Sequence, residues 1–192
     1  AANTSQTYVR ALDQTISQSL SSTYALAALV REGKGAMHDF EGTAREMLSL
    51  YPGVATLQLA PDGIIRSSMP LAGNEKALGH DLLSDPTRNK EAFLARETGK
   101  LTLAGPFELK QGGVAAIGRL PVFLPRPDGS RSFWGFTTAM LRFPEVLEVA
   151  GLQNLLREGY QYELSRIHPD TGQKQIIAAS RKEALVDPVE SS

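Results

Sequence analysis

From the N-terminus, the apolar residues Val9, Leu12, Ile16, Leu20 and Tyr24 recur at intervals of three or four, with Gln, Ser, Asp and Thr between them. That spacing predicts one helix over roughly the first thirty residues. No Pro or Gly precedes Gly33, and at 1.5 Å per residue about 28 residues make a rod of roughly 40 Å. One small lobe does not cover such a rod along its whole length. It is expected as a stalk or dimer helix, with a core helix of a single domain as the alternative. Gly33 to Gly35 breaks the pattern. Phe40, Ala44, Met47, Leu48 and Tyr51 then share one side of a second helix, which Pro52-Gly53 stops.

The period then changes. Val54 to Leu59 and Ile64 to Ser68 read as strands joined by the turn Pro61-Asp62-Gly63. A third helix is capped by Ser84 or Asp85, takes Pro86 in its first position and ends at Gly99. Leu101 to Ala104 reads as a strand broken by Gly105-Pro106, and Gln111-Gly112-Gly113 as a turn. Val114 to Leu124 is a long strand in which Pro121 marks an edge or a bulge. After the turn Pro125 to Gly129, Phe133 to Leu141 is a further strand. Strand, strand, helix, strand, strand, strand over residues 54–141 suits an antiparallel sheet backed by helices, the order of a PAS-like lobe. Pro144 to Leu156 reads as a linking helix. A hairpin follows, Tyr160 to Arg166 and Gln175 to Ala179, turning at His168 to Gly172. Two strands do not bury a face by themselves, so the hairpin either joins the first sheet or, as we expect, begins a second, incomplete lobe.

The chemistry is sparse. The 192 residues carry 20 basic and 21 acidic side chains, a net charge of −1, with no basic patch of the kind nucleic-acid binding needs. With no cysteine, disulfides, thiolate nucleophiles and cysteine metal sites are excluded. His38, His80 and His168 lie far apart, so no metal site is expected. No nucleophile elbow, P-loop or dinucleotide fingerprint occurs, and no catalytic residue or cofactor is assigned. No apolar run reaches ~18 residues, as a membrane span requires. The termini, Ala1-Ala2-Asn3-Thr4 and Pro188 to Ser192, lead us to expect a piece of a longer protein whose flanking segments anchor it in a membrane.

Two features remain. Asp81, beside His80, either caps a turn or points its carboxylate into a pocket to accept hydrogen bonds from a ligand. The small residues of Val114-Ala115-Ala116-Ile117-Gly118 either admit close helix packing or leave a cavity on the sheet. For such a cavity, Leu57, Leu59, Leu103, Phe136 and Met140 would supply apolar walls, and Asp81 and Thr138 polar anchors. Only one of Ala115 and Ala116 can face a given side.

The run Leu78-Gly79-His80-Asp81-Leu82-Leu83-Ser84-Asp85-Pro86, then Ala95-Arg96-Glu97-Thr98-Gly99-Lys100 and Leu101-Thr102-Leu103-Ala104-Gly105-Pro106-Phe107, closely resembles the CHASE domain. The segments Gly118 to Val122 and Phe133 to Leu141 extend the likeness, which covers about residues 50–150. CHASE domains are extracytoplasmic sensors of bacterial histidine kinases, diguanylate cyclases and cyclic-di-GMP phosphodiesterases, and of plant cytokinin receptors. The resemblance implies an α+β fold with a long N-terminal stalk helix (1–33), a membrane-distal PAS-like ligand-binding lobe (34–142), and a linker helix with a partial membrane-proximal PAS-like lobe (143–192). It implies that Asp81 contacts the ligand and that Leu103 offers its backbone. One position departs: Gly135-Phe136 stands where plant receptors carry two glycines, and the phenyl ring fills volume a cytokinin tail needs. The candidate ligand-binding set is Asp81, Leu103, Gly105, Ala116, Gly118, Phe136 and Thr138. The expected protein is a periplasmic receptor domain of a bacterial inner-membrane protein, binding a small molecule of unknown identity and forming a homodimer through its first helix. A dimerisation or docking module without a ligand is the alternative.

Overall fold

The computed structural model describes residues 2–109, 113–168 and 170–180. The first helix, α1, spans Ala2–Glu32. Its buried side shares Leu12, Ile16 and Leu20 with the stripe that the large apolar residues draw, but turns away from the two ends of that stripe. Val9 and Tyr24 are 41% and 54% exposed, whereas Ser19, Ser22, Thr23, Leu26, Ala27 and Val30 are buried. These six sit at offsets of 0, 3, 4, 7, 8 and 11, one helical face. The hydroxyls are accommodated because each bonds back along the helix. Ser19 Oγ donates to the Thr15 carbonyl at 2.7 Å, Ser22 Oγ to that of Ser19 at 2.6 Å, and Thr23 Oγ1 to that of Leu20 at 2.7 Å. A polar group buried with a partner escapes the desolvation penalty of an orphan.

α2 (Phe40–Leu50) is capped by Asp39, whose carboxylate accepts from Gly42 N at 3.0 Å. The strands β1 (Val54–Pro61), β2 (Ser67–Met69), β3 (Thr102–Glu108), β4 (Val114–Pro125) and β5 (Arg131–Arg142) form one antiparallel sheet in the order β2-β1-β5-β4-β3. α1 and α2 cover one face, where Leu57, Leu59, Leu120, Val122, Ala139 and Leu141 pack with Leu26, Val30, Ala44 and Met47. Thr137 on that face donates to the Thr23 carbonyl at 2.9 Å and pins helix to sheet. α3 (Lys90–Thr98) and the loop before it cover the other face, where Ala60 and Phe136 pack with Ile65, Leu82, Ala92 and Ala95.

Several boundaries differ from the sequence reading. The second strand is Ser67–Met69; Ile64 instead bridges to Asp81. The third helix starts at Lys90 rather than Pro86; the Asp85 carboxylate, which accepts from Thr87 N at 2.9 Å and Oγ1 at 2.6 Å, caps a separate turn over residues 86–88. β3 is not broken at Gly105-Pro106 but runs to Glu108, absorbing the pair in a register shift between Ala104 and Phe107. Pro121 lies beyond Arg119, the partner of Thr102, where β4 has no neighbour on the β3 side and a missing N–H costs no ladder bond. The expected turn Gln111-Gly112-Gly113 lies mostly outside the described residues.

The linking helix is two, α4 (Phe143–Val149) and α5 (Gln153–Arg157), separated at Gly151 with φ of 78°. β6 (Glu163–Ile167) and β7 (Lys174–Ala179) pair as a separate two-stranded sheet. This hairpin borrows its core: Tyr162, Leu164 and Ala178 pack on Leu147, Ala150, Leu152 and Leu155, together with Tyr8 and Leu12 of α1. Pro169 of its turn and the terminal Pro188 to Ser192 lie outside the described residues.

Gly135 has φ of +149°, and a Cβ there would stand 2.1 Å from the Ala60 carbonyl oxygen, a backbone atom. Gly129 has φ of +81° with nothing near it. Gly135→Ala is therefore expected to cost ~3 kcal/mol or more in urea unfolding, and Gly129→Ala only ~1–2 kcal/mol.

Candidate functional site

The site is a transverse row on the sheet face beneath α3. Side chains of directly opposed residues on neighbouring strands share a face. Ser68 pairs with Gln58, Gln58 with Thr138, Thr138 with Arg119, and Arg119 with Thr102, so five polar residues cross all five strands in one line. On one side lie Ala60, Phe136 and Pro121; on the other, Thr56, Met140, Ile117 and Ala104. Gln58, Ser68, Arg119 and Thr138 are buried.

Most of the row is hydrogen bonded. Thr138 Oγ1 donates to Gln58 Oε1 at 3.1 Å, Gln58 Nε2 to Ser68 Oγ at 3.3 Å, and Ser68 Oγ to the Pro70 carbonyl at 3.4 Å. At the opposite edge Thr102 Oγ1 donates to the Glu91 carbonyl of α3 at 2.8 Å. Arg119 is the gap. It is 6% exposed, and its Nε finds no hydrogen-bond partner among the described residues. Burial pushes its guanidinium below the usual arginine value, and the Glu91 charge partly opposes that shift. The roof carries a second cation, Arg96, whose guanidinium lies 5.2 Å from the centre of the Phe93 ring and 6.0 Å from that of Phe133. A shallow depression of about 440 Å³ on α3, lined by Pro86, Lys90, Glu91, Phe93, Leu94 and Glu97, is open to solvent.

The residues singled out from sequence divide between the two faces. Phe136 and Thr138 lie on the α3 face. Phe136 is fully buried and meets Phe133 edge-on at 5.1 Å, so its ring does fill volume there. Asp81 is half-buried in the loop bordering this face, which is stitched to residues 63–65 by Ile65 N to the His80 carbonyl and Leu82 N to the Gly63 carbonyl. Its carboxylate accepts from Leu83 N at 2.8 Å, a turn-capping bond.

Ala116 and Gly118 are on the other face. Ala116 clusters with Ile16 and Phe143, and a Cβ on Gly118 would stand 2.4 Å from Leu20 Cδ2. Their smallness serves the approach of α1, so these two do not line the α3 side. Leu57 and Leu59 face α1 as well, and Leu103, opposite Gly118 in the ladder, shares that side with its side chain 47% exposed. β3 is an edge strand, so half of its backbone groups have no sheet partner. Gly105 lies in the β3 register shift with φ of +108°. Sequence reading missed Arg119, Gln58 and Ser68. A charge inside the apolar run Val114 to Leu124 was the available signal.

Among the described residues no group of three His, Cys, Asp or Glu is placed to hold a metal ion, and no helix is long and apolar enough to cross a membrane.

The long N-terminal helix and the antiparallel sheets define an α+β domain. Residues 3–177 match the CHASE domain, and the chain belongs to that family. Comparison with curated proteins gave no match. Among solved structures, an extracellular ligand binding receptor from Desulfohalobium retbaense is similar in fold, with 14% identity and a TM-score of 0.56 over 74% of this chain and 26% of that one. The chain thus spans about a quarter of that receptor chain's length. The extracellular domain of rpHK1S-Z16, a protein assigned as a histidine kinase, aligns over 92% of this chain and 89% of its own at 11% identity and a TM-score of 0.43.

If the Asp81–Leu83 bond is what Asp81 contributes to the fold, Asp81→Ala loses ~1 kcal/mol. Asp81→Asn retains an acceptor oxygen and stays within ~0.5 kcal/mol in chemical denaturation.

Proposed function

We propose that this chain is the periplasmic ligand-sensing domain of a bacterial transmembrane receptor, binding a small molecule between the α3 face of the sheet and the loop that carries Asp81. The observation that carries the reading is the buried polar row. A sheet face that served only as core would be apolar, because each buried polar group must be matched by a partner. Here Gln58, Ser68, Thr138 and Arg119 cross an interior face and leave one strong donor unmatched. Membership of a family of sensor domains agrees with binding rather than catalysis.

In this reading residues 34–142 form the membrane-distal PAS-like lobe and the segment from 143 the partial proximal lobe. The ligand shifts the balance between two arrangements by its differential affinity for them. α1 carries the shift toward a cytoplasmic output domain such as a diguanylate cyclase, phosphodiesterase or histidine kinase. Asp81 and the backbone of β3 at Leu103 and Gly105 border the ligand, with Phe136 and Thr138 beneath it. The fully buried Phe136 ring disfavours a cytokinin.

A thermal-shift screen of purines, amino acids and carboxylates tests the reading. At least one compound is expected to raise the melting temperature by a few degrees, since a ligand held only by the folded state stabilises it by mass action. A screen without a hit would favour a docking module. Asp81→Ala is expected to weaken the response to a hit about tenfold; an unchanged response would remove Asp81 from the site. For the dimer, Tyr24 and Leu29 leave apolar surface exposed on α1. Light scattering at high concentration is expected to give about twice the 20.8 kDa chain mass, and Tyr24→Glu with Leu29→Glu to return the monomer.

A further inference from the structure

We propose that the ligand carries a carboxylate, and that Arg119 is the residue that binds it. This rests on the sensor reading above and goes further by naming the ligand's chemical class. The central observation is an arginine that is 6% exposed, on an inner strand, with its Nε facing no acceptor among the described residues. A buried guanidinium nitrogen without an acceptor is costly, and proteins seldom bury an arginine without a counter-charge beside it. The neighbours do not supply one. The Thr138 hydroxyl is donated to Gln58, and that of Thr102 to the backbone of α3. Among the described residues, the opposing charge that acts on Arg119 is Glu91, which does so through its field, makes no ion pair with it, and lines the solvent-open depression on α3.

Geometry and charge narrow the partner. A guanidinium presents a planar fork of N–H donors that matches a carboxylate in two parallel bonds. Arg119 in the row and Arg96 in the roof stand against Glu91 of α3, a balance of one positive charge that suits a monoanion better than a doubly charged phosphate. The flanking rows, Ala60, Phe136 and Pro121 on one side and Met140, Ile117 and Ala104 on the other, suit a small apolar remainder. The geometry thus points to a short organic acid lying across β4 and β5.

The test is a thermal-shift and calorimetry series on the 192-residue domain. Probes are acetate, propionate, butyrate, pyruvate, lactate, succinate and the amino acids, each beside its primary amide, with inorganic phosphate and sulfate as separate arms. The expected result is that at least one carboxylate raises the melting temperature by about 5 °C at a hundredfold excess over Kd. Its amide does not, and Arg119→Gln weakens binding at least tenfold while Arg119→Lys keeps part of it. In the absence of any probe, Arg119→Met is expected to melt about 3 °C or more above the wild type, because it removes an unpaired buried charge.

Stabilisation by phosphate or sulfate alone, or equal stabilisation of wild type and Arg119→Gln, overturns the proposal. So does an Arg119→Met protein that melts lower or fails to fold, since the guanidinium is then structural. If purines or other neutral compounds stabilise the wild type and no carboxylate does, the sensor reading stands and the carboxylate proposal falls. If no probe of any class binds, both fall.

Discussion

The contact on which the rest of the structure depends is the one between α1 and everything it touches. Its second half lies on the five-stranded sheet through Ser19, Ser22, Thr23, Leu26, Ala27 and Val30; its first half, through Tyr8 and Leu12, packs with α4, α5 and the β6–β7 hairpin. One helix is therefore a wall of two cores. The approach is close because both surfaces are small. A Cβ on Gly53 would stand 2.2 Å from Ser19 Oγ, and Gly118 admits Leu20. With the interior packed at crystal-like density, such gaps are filled rather than left.

That arrangement sets the division of labour across the sheet. The α1 face is a conventional apolar core pinned by the Thr137–Thr23 hydrogen bond. The polar row is confined to the α3 face, whose cover is one short helix, Lys90–Thr98, and a loop held by a few backbone bonds. Chain segments with few buried apolar contacts open most easily, so the cover of the α3 face is the weaker of the two. α3 is also tied to the hairpin turn through Lys90 and Asp170 at 3.2 Å, an exposed pair. Pairs of that kind contribute little energy and are screened by salt.

Much of the architecture was legible because turns and periods agree locally. Gly33, Pro52-Gly53 and Pro61-Asp62-Gly63 mark element ends that the chain respects, and the strands from Val54, Val114 and Phe133 follow their apolar runs. What escaped notice has physical causes. On α1 the stripe through Leu12, Ile16 and Leu20 is packed, but Ser19, Ser22 and Thr23 were missed, because hydroxyls satisfied within a helix bury like small apolar groups. The start of α3 was misplaced because Asp85 does cap, but caps a short turn that precedes the helix. For the site, Ala116 and Gly118 carried two readings from sequence, and only the pairing register assigns them to α1. The line Ser68–Gln58–Thr138–Arg119–Thr102 is assembled from five separate strands, and no local pattern announces it.

The hydroxyl-and-alanine side of α1 also bears on how this helix behaves under load. Large interdigitating side chains act as cogs, and a helix seated on them moves only in whole steps. Ser19, Ser22, Thr23 and Ala27 present low ridges, but Leu20 seats at Gly118 and Leu26 and Val30 are fully buried against the sheet, so this face carries both kinds of surface. The small residues hold the helix close to the sheet while the seated leucines and valine index it, so any axial displacement of α1 would come as a whole step rather than a slide.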